Sequence, residues 1–223
     1  TASEEDGWLA LPNYVRGSAE IAFGKDAASE MIKEHRLVAV GTTGGTNALR
    51  SLSDSIVVSW REKEDAPMPE VLISKPTWSN HRGIFEESGL KVIEYDHLRE
   101  NRYNIEANLD AIQKSGPDTL VLFHAGRTHN PTGDNPSTEK EWEELADAMF
   151  ADSKNGRFAI FDAAYLGWGD GLDEDALGIR KFREKEVRMA VALSNSKNGG
   201  AYSWRTGLLL MEERTPERAE NLQ

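Results

Sequence analysis

Ser194 to Gly200 reads S-N-S-K-N-G-G and directly follows the apolar run V-R-M-A-V-A-L. A lysine where a buried strand ends has two readings. Lys197 is either a surface residue of a serine- and glycine-rich turn, or an amine in a partly dry pocket, where desolvation lowers its pKa and makes it a usable nucleophile. Asp162 raises a similar question, because it is a carboxylate inside the apolar run F-A-I-F-D-A-A-Y. A strand-end carboxylate among such neighbours needs a cationic or hydrogen-bonding partner, or it takes up a proton.

Short apolar, β-branched runs recur at 36–42, 70–76, 91–96, 119–125, 157–164, 187–194 and 206–212, giving seven strand candidates. Helix-length segments separate them. The clearest runs from about Thr138 to Phe150, where Trp142, Leu145, Ala146 and Met149 share a face and Thr138 with Glu141 forms a capping box. Strands apolar on both faces that alternate with helices imply an α/β domain, a three-layer α/β/α sandwich around a mostly parallel seven-stranded sheet. No internal repeat or low-complexity linker interrupts it. Residues 1–22 read as an irregular N-terminal segment with a frayed acidic opening, T-A-S-E-E-D, and 23–223 as the domain proper.

Ligands of open parallel sheets bind beyond the carboxyl ends of the strands. After the first strand comes G-T-T-G-G-T-N-A-L-R (41–50), a glycine turn into a helix whose free N–H groups suit a phosphate; it is equally an ordinary connection. After the second come Trp78, which either stacks on a flat ring or plugs the core, and His81. After the fourth comes H-A-G-R-T-H-N-P-T-G, where Asn130 before Pro131 aims its amide inward or sits in a plain Asn-Pro turn. The sixth strand delivers Ser194, Ser196 and Lys197, and Arg205 precedes the seventh. An amine, an acid, a stacking ring, an amide, hydroxyls, an arginine and a glycine turn at one sheet edge match the needs of one cofactor, pyridoxal 5'-phosphate. Its aldehyde needs a lysine, its pyridine nitrogen a carboxylate, and its phosphate hydroxyls, N–H groups and an arginine.

Composition narrows the partners. Hydrophobic residues make up 39% and charged residues 29% of 223, with no apolar run of membrane-spanning length. The net charge of -12 argues against nucleic acid and anionic membranes. With no cysteine there is no disulfide, thiolate metal site or thiol nucleophile. No metal is expected, and a cytoplasmic location fits best.

The motifs N-P-T-G (130–133), F-D-A-A-Y-L-G-W-G-D-G-L-D-E-D-A (161–176) and S-N-S-K-N-G-G-A-Y-S-W-R-T-G (194–207) occur in the order found in a known family. From about Phe23 onward the chain resembles the aspartate and aromatic amino acid aminotransferases of the fold-type I pyridoxal-phosphate enzymes. The resemblance implies an amino group moved from aspartate or an aromatic amino acid to 2-oxoglutarate through an internal aldimine on Lys197, in a homodimer. It further implies Asp162 at the pyridinium nitrogen with His81 behind it, Trp78 stacked on the ring, and Asn130 and Tyr165 at the phenolic oxygen. Gly45, Thr46, Ser194, Ser196 and Arg205 fall at the phosphate, and Tyr14 matches a tyrosine that reaches the phosphate of the neighbouring subunit. The alternatives are a lyase or β-decarboxylase on the same scaffold, or a non-catalytic cofactor-binding domain.

Several departures accompany the resemblance, among them a segment between Tyr14 and the F-G-K at Phe23 that is shorter than in relatives. The segment H-A-G-R-T-H is one residue longer than usual. Gly44 replaces a serine or similar residue, Asn195 an aromatic, and Gly199 what is often another aromatic. The family also continues beyond the seventh strand into a small domain carrying the arginines that grip substrate carboxylates, so the resemblance implies a fragment of a larger enzyme.

Overall fold

The structure, a computed structural model, describes residues 10–63, 66–150 and 157–222. All seven expected strands form. They are β1 (Leu37–Thr42), β2 (Glu70–Lys75), β3 (Lys91–Asp96) and, after a small hairpin of β4 (Leu98–Arg99) and β5 (Arg102–Tyr103), β6 (Leu120–His124), β7 (Phe158–Ala163), β8 (Met189–Ser194) and β9 (Gly207–Glu212). Their order is β1-β9-β8-β7-β6-β2-β3. The pairings β2–β3, β2–β6, β6–β7 and β7–β8 are parallel. Strand β9 runs antiparallel to both β1 and β8. Its reversal brings the start of β9 to the edge where β1 and β8 end, with Gly207 beside both Thr42 and Ser194.

Helices cover both faces. On one side lie α1 (Pro12–Phe23), α2 (Lys25–Lys33), α5 (Ile105–Lys114), α6 (Glu139–Phe150) and α8 (Leu177–Glu184); on the other lie α3 (Gly45–Arg61), α4 (Asn80–Ser88) and the short α9 (Pro216–Glu220). One further turn of helix, α7 (Leu172–Asp175), precedes α8. Strand side chains alternate between the two layers. In β7, Ala159, Phe161 and Ala163 pack into the first layer's core and Ile160 into the second's. The reciprocal cap of α6 forms as expected: the Glu141 N–H donates to Thr138 Oγ1 at 3.2 Å, and the Thr138 N–H donates to Glu141 Oε2 at 2.9 Å. Trp142, Leu145, Ala146 and Met149 are all buried.

The irregular reading of residues 1–22 requires correction. Residues 1–9, including the acidic opening, lie outside the described residues, but Pro12–Phe23 is a helix. Proline suits its first turn, and Val15, Ala19, Ala22 and Phe23 recur at helical spacing and bury one face in the same core as α6 and α8. The boundary placed after residue 22 thus falls inside α1, and the N-terminal segment is part of the layer. Gly24, at φ +88, ends this helix and lets α2 begin at once.

Phe182 packs its ring against Phe123 and Phe161, with centroids 5.0 Å away in each case, and is fully buried. Replacing Phe182 with Ala is expected to lower unfolding stability by about 3–5 kcal/mol in urea titration; a loss below about 1 kcal/mol would show that this core does not depend on the ring.

Candidate active site

Alternation along the strands selects the site residues. Ile160 faces the α3/α4 layer, so Asp162 does too; Leu122 and Ala192 face the same way, and with them His124 and Ser194 at the ends of β6 and β8. Asp162 is 8% exposed and lies opposite His124 in the parallel register. His81 on α4 is fully buried, and its Nε2 lies 2.9 Å from Asp162 Oδ2, while its Nδ1 lies 2.8 Å from Thr77 Oγ1. The Ala164 N–H donates to the other carboxylate oxygen at 3.1 Å. Burial alone pushes the Asp162 carboxyl up. The hydrogen bond from His81 and the attraction to His81 and His124, with the Ala164 N–H, outweigh it and hold the carboxyl below its ordinary value. The acid is therefore an anion in a dry place.

Beyond the strand ends, ten of the residues expected from sequence line one cleft of about 260 Å³. They are Gly45, Thr46, Trp78, Asn130, Asp162, Tyr165, Ser194, Ser196, Lys197 and Arg205. Lys197 is half-buried, and its Nζ stands 4.8 Å from the centre of the Tyr165 ring. Trp78 serves both readings considered for it, packing on the α3/α4 core while lining the cleft. Its ring meets His81 edge-on at 5.3 Å. Asn130 reaches the cleft through a cis bond to Pro131.

The opposite end of the cleft is built for an anion. Helix α3 starts at Gly45 with no side-chain cap, which leaves its first N–H groups and the positive end of its dipole to the cleft. Arg205, held at φ +54, lays its guanidinium over this start: a Cβ added to Gly44 would sit 3.2 Å from Arg205 Nη2. Gly207 cannot carry a side chain either, since its Cβ would come within 2.7 Å of the Gly44 backbone. The departure at Gly44 therefore has a reason in the backbone, which is held at φ +115, where a side chain is strained. So does the one at Gly199, whose N–H donates to Asn195 O at 3.2 Å and whose Cβ would lie 2.9 Å from that oxygen.

Tyr14 is not brought to the cleft. It lies on α1, packed beside the core, and its hydroxyl is buried without a partner, which pushes the phenol up to about 12. Sequence reasoning also passed over Asp175. Its buried carboxylate accepts from the N–H groups of Gly167 and Gly169 at 2.8 and 2.9 Å and of Asp170 at 3.2 Å, and so fixes the loop that follows Tyr165. The run of acids D-E-D before Ala176 resembles a solvated surface and hides this role. The histidines behind Asp162 were likewise seen only in part. His129 stacks on His97 at 3.7 Å and contacts His124 at 4.1 Å.

The donor set fits a flat cationic ring bearing a phosphate: an anionic carboxylate and a tryptophan at one end, hydroxyls, an arginine and a helix N-terminus at the other, and a lysine between. The class defined by this fold and cleft is a three-layer α/β domain with its ligand site at the carboxyl edge of the sheet. Residues 13–223 match the family model for aminotransferase class I and II, and the chain belongs to that family. It is 38% identical over 211 residues to aspartate aminotransferase of Haemophilus influenzae, covering 94% of this chain and 50% of that protein. With the aromatic-amino-acid aminotransferase of Pseudomonas aeruginosa it shares 35% identity over 206 residues, 92% of this chain and 48% of the relative. Among solved structures, the aromatic-amino-acid aminotransferase of Burkholderia pseudomallei, covalently bound to pyridoxal phosphate, superposes with a TM-score of 0.86 at 28% identity, over 96% of this chain and 51% of that one. The chain thus spans about half the length of the relatives it matches.

The buried histidines predict how stability depends on pH. Burial, aided by repulsion from His81, lowers His124 to about 3, and burial lowers His97 and His129 as well. A histidine with a lowered folded pKa stays neutral in the fold, while the unfolded chain takes up the proton below about pH 6.5. Stability is accordingly complete above that pH and falls as the pH drops below it, by roughly 1 kcal/mol per pH unit for His124 down to about pH 3, with His97 and His129 adding in the same direction; Asp162, lowered too, adds in that direction below about pH 4. Urea midpoints at pH 7.5 and 5 check this, and an equal or higher midpoint at pH 5 contradicts it.

Proposed function

We propose that this chain is the cofactor-binding part of a pyridoxal-phosphate-dependent aminotransferase, which moves an amino group from aspartate or an aromatic amino acid to a 2-oxo acid, 2-oxoglutarate. The observation that carries the reading is the shared cleft of Lys197 and the His81-anchored Asp162, closed at its far end by Arg205 and the start of α3. When bound, pyridoxal phosphate supplies an aldehyde and an electron-withdrawing ring. Asp162 holds a proton on the ring nitrogen, which its anionic state makes favourable. Trp78 stacks on the ring, and Asn130 and Tyr165 hydrogen-bond its phenolic oxygen. Ser194, Ser196, Arg205 and the amides at Gly45 and Thr46 hold the phosphate. Lys197 Nζ would be the nucleophile toward the aldehyde and, once released as a free amine, would carry the proton from the substrate α-carbon to the cofactor's aldehyde carbon.

The proposal includes a cytoplasmic homodimer. A cysteine-free, acidic composition supports the location. Exposed aromatics at the rim of the cleft support a covering surface from a second copy: Tyr202 is 65% and Trp204 81% exposed. None of the described helices is long and apolar enough to cross a membrane.

Full-length protein with added pyridoxal phosphate should show a visible absorbance band that Lys197→Ala removes and that amino acids convert to a shorter-wavelength form. Asp162→Ala should cut turnover at least about 100-fold while much of the cofactor stays bound. No Lys197-dependent band, or unchanged turnover in Asp162→Ala, overturns the reading.

A further inference from the structure

His81, His124 and Asp162 each offer one ligand atom, and the three lie within 4.8 Å of one another. The fold builds this group. His124 and Asp162 are register partners at adjacent parallel strand ends, so their side chains stand side by side on one face, and α4 sets His81 against them. The aminotransferase reading uses only part of it, the contact between His81 and Asp162. His124 is 4% exposed, and its Nε2 is buried without a partner, which is unfavourable for a polar atom.

We propose that in the cofactor-free protein His81, His124 and Asp162 bind one divalent first-row transition ion, which ties up the Asp162 carboxylate that the cofactor ring would meet and so competes with the cofactor. Two imidazoles and one carboxylate, with positions left open, form a donor set that zinc, cobalt or ferrous iron accepts. Bonds of about 2.1 Å at tetrahedral angles put ligand atoms about 3.4 Å apart. His81 Nε2 and Asp162 Oδ2, at 2.9 Å, have to open by roughly half an ångström as the ion replaces their hydrogen bond, and His124, whose ligand atom lies within 4.8 Å of the others, has to draw in by up to about 1.4 Å. The outer partners are present. Thr77 Oγ1, 2.8 Å from His81 Nδ1, holds the ring from its other side when the Nε2 proton leaves and the ion takes its place, and the Ala164 N–H anchors the other oxygen of Asp162. Asp162 lines the open cleft, which gives an ion its entry path. This site departs from the sequence expectation of no metal and does not require the aminotransferase reading.

The test is a Co²⁺ titration of the cofactor-free protein, read by the visible absorbance of the bound ion and by calorimetry. One ion per chain is expected, bound at least about 10-fold more weakly in His124→Ala and in the bulkier His124→Phe, with far-ultraviolet circular dichroism to confirm folding. Pyridoxal phosphate should displace the ion from the unaltered protein, a readout that needs no variant. Absence of saturable one-to-one binding, or equal affinity in folded His124 variants, overturns the proposal, as does Co²⁺ binding indifferent to pyridoxal phosphate in protein that does take up pyridoxal phosphate. A protein that never takes up pyridoxal phosphate sinks the aminotransferase reading alone, because the dependence of Co²⁺ binding on His124 still decides the metal site.

Discussion

A carboxylate that stays ionised at the buried end of a central strand is the constraint from which the rest of the site follows. Left alone at that depth Asp162 would bind a proton, because desolvation penalises its charge. The ring of His81 prevents this, and the ring is itself fixed by Thr77 and by the packing of α4 on the sheet. The α3/α4 layer therefore does more than cover apolar surface: it delivers His81, the leading partner beside His124 and the Ala164 N–H in keeping the acid charged. Buried negative charge in a cleft invites a cation, and that demand is what makes a protonated ring or a metal ion a sensible occupant.

The other end of the cleft answers to backbone geometry. With β9 reversed between β1 and β8, the segment leading into β9 returns Arg205 to the edge where α3 begins. The two chain segments meet so closely that Gly207 has no room for a side chain against the Gly44 backbone, and Gly44 is held at φ +115. A helix N-terminus, an arginine and two serines thereby converge without any of them depending on Asp162. Between the two poles the loop after Tyr165 is tied down by the buried carboxylate of Asp175.

Much of this was legible in the sequence, for identifiable reasons. Seven apolar runs marked seven strands because central strands buried on both faces leave continuous hydrophobic signals. Asp162 stood out because a charge inside such a run is costly. The orientation of β9 left no trace, since G-L-L-L-M-E is equally apolar in either direction. Helices α1 and α2 escaped notice because Gly17 and Gly24 break up a short pattern of small apolar residues. Asp175 was hidden in a run of acids, and the stacked His97 and His129 meet through a contact distant in sequence, which spacing does not encode. Tyr14 shows the reverse: a residue chosen by resemblance, whose hydroxyl is turned into this chain's own interior.

The most direct test of the account is the titration of the Asp162 carboxyl itself, followed by carbon-13 NMR of labelled aspartate in the unaltered protein and in His81→Phe. The account predicts a carboxyl that titrates below the ordinary aspartate value of about 3.9 and rises above it once His81 is replaced. A carboxyl that already titrates above that value, or that does not move when His81 is lost, would contradict it.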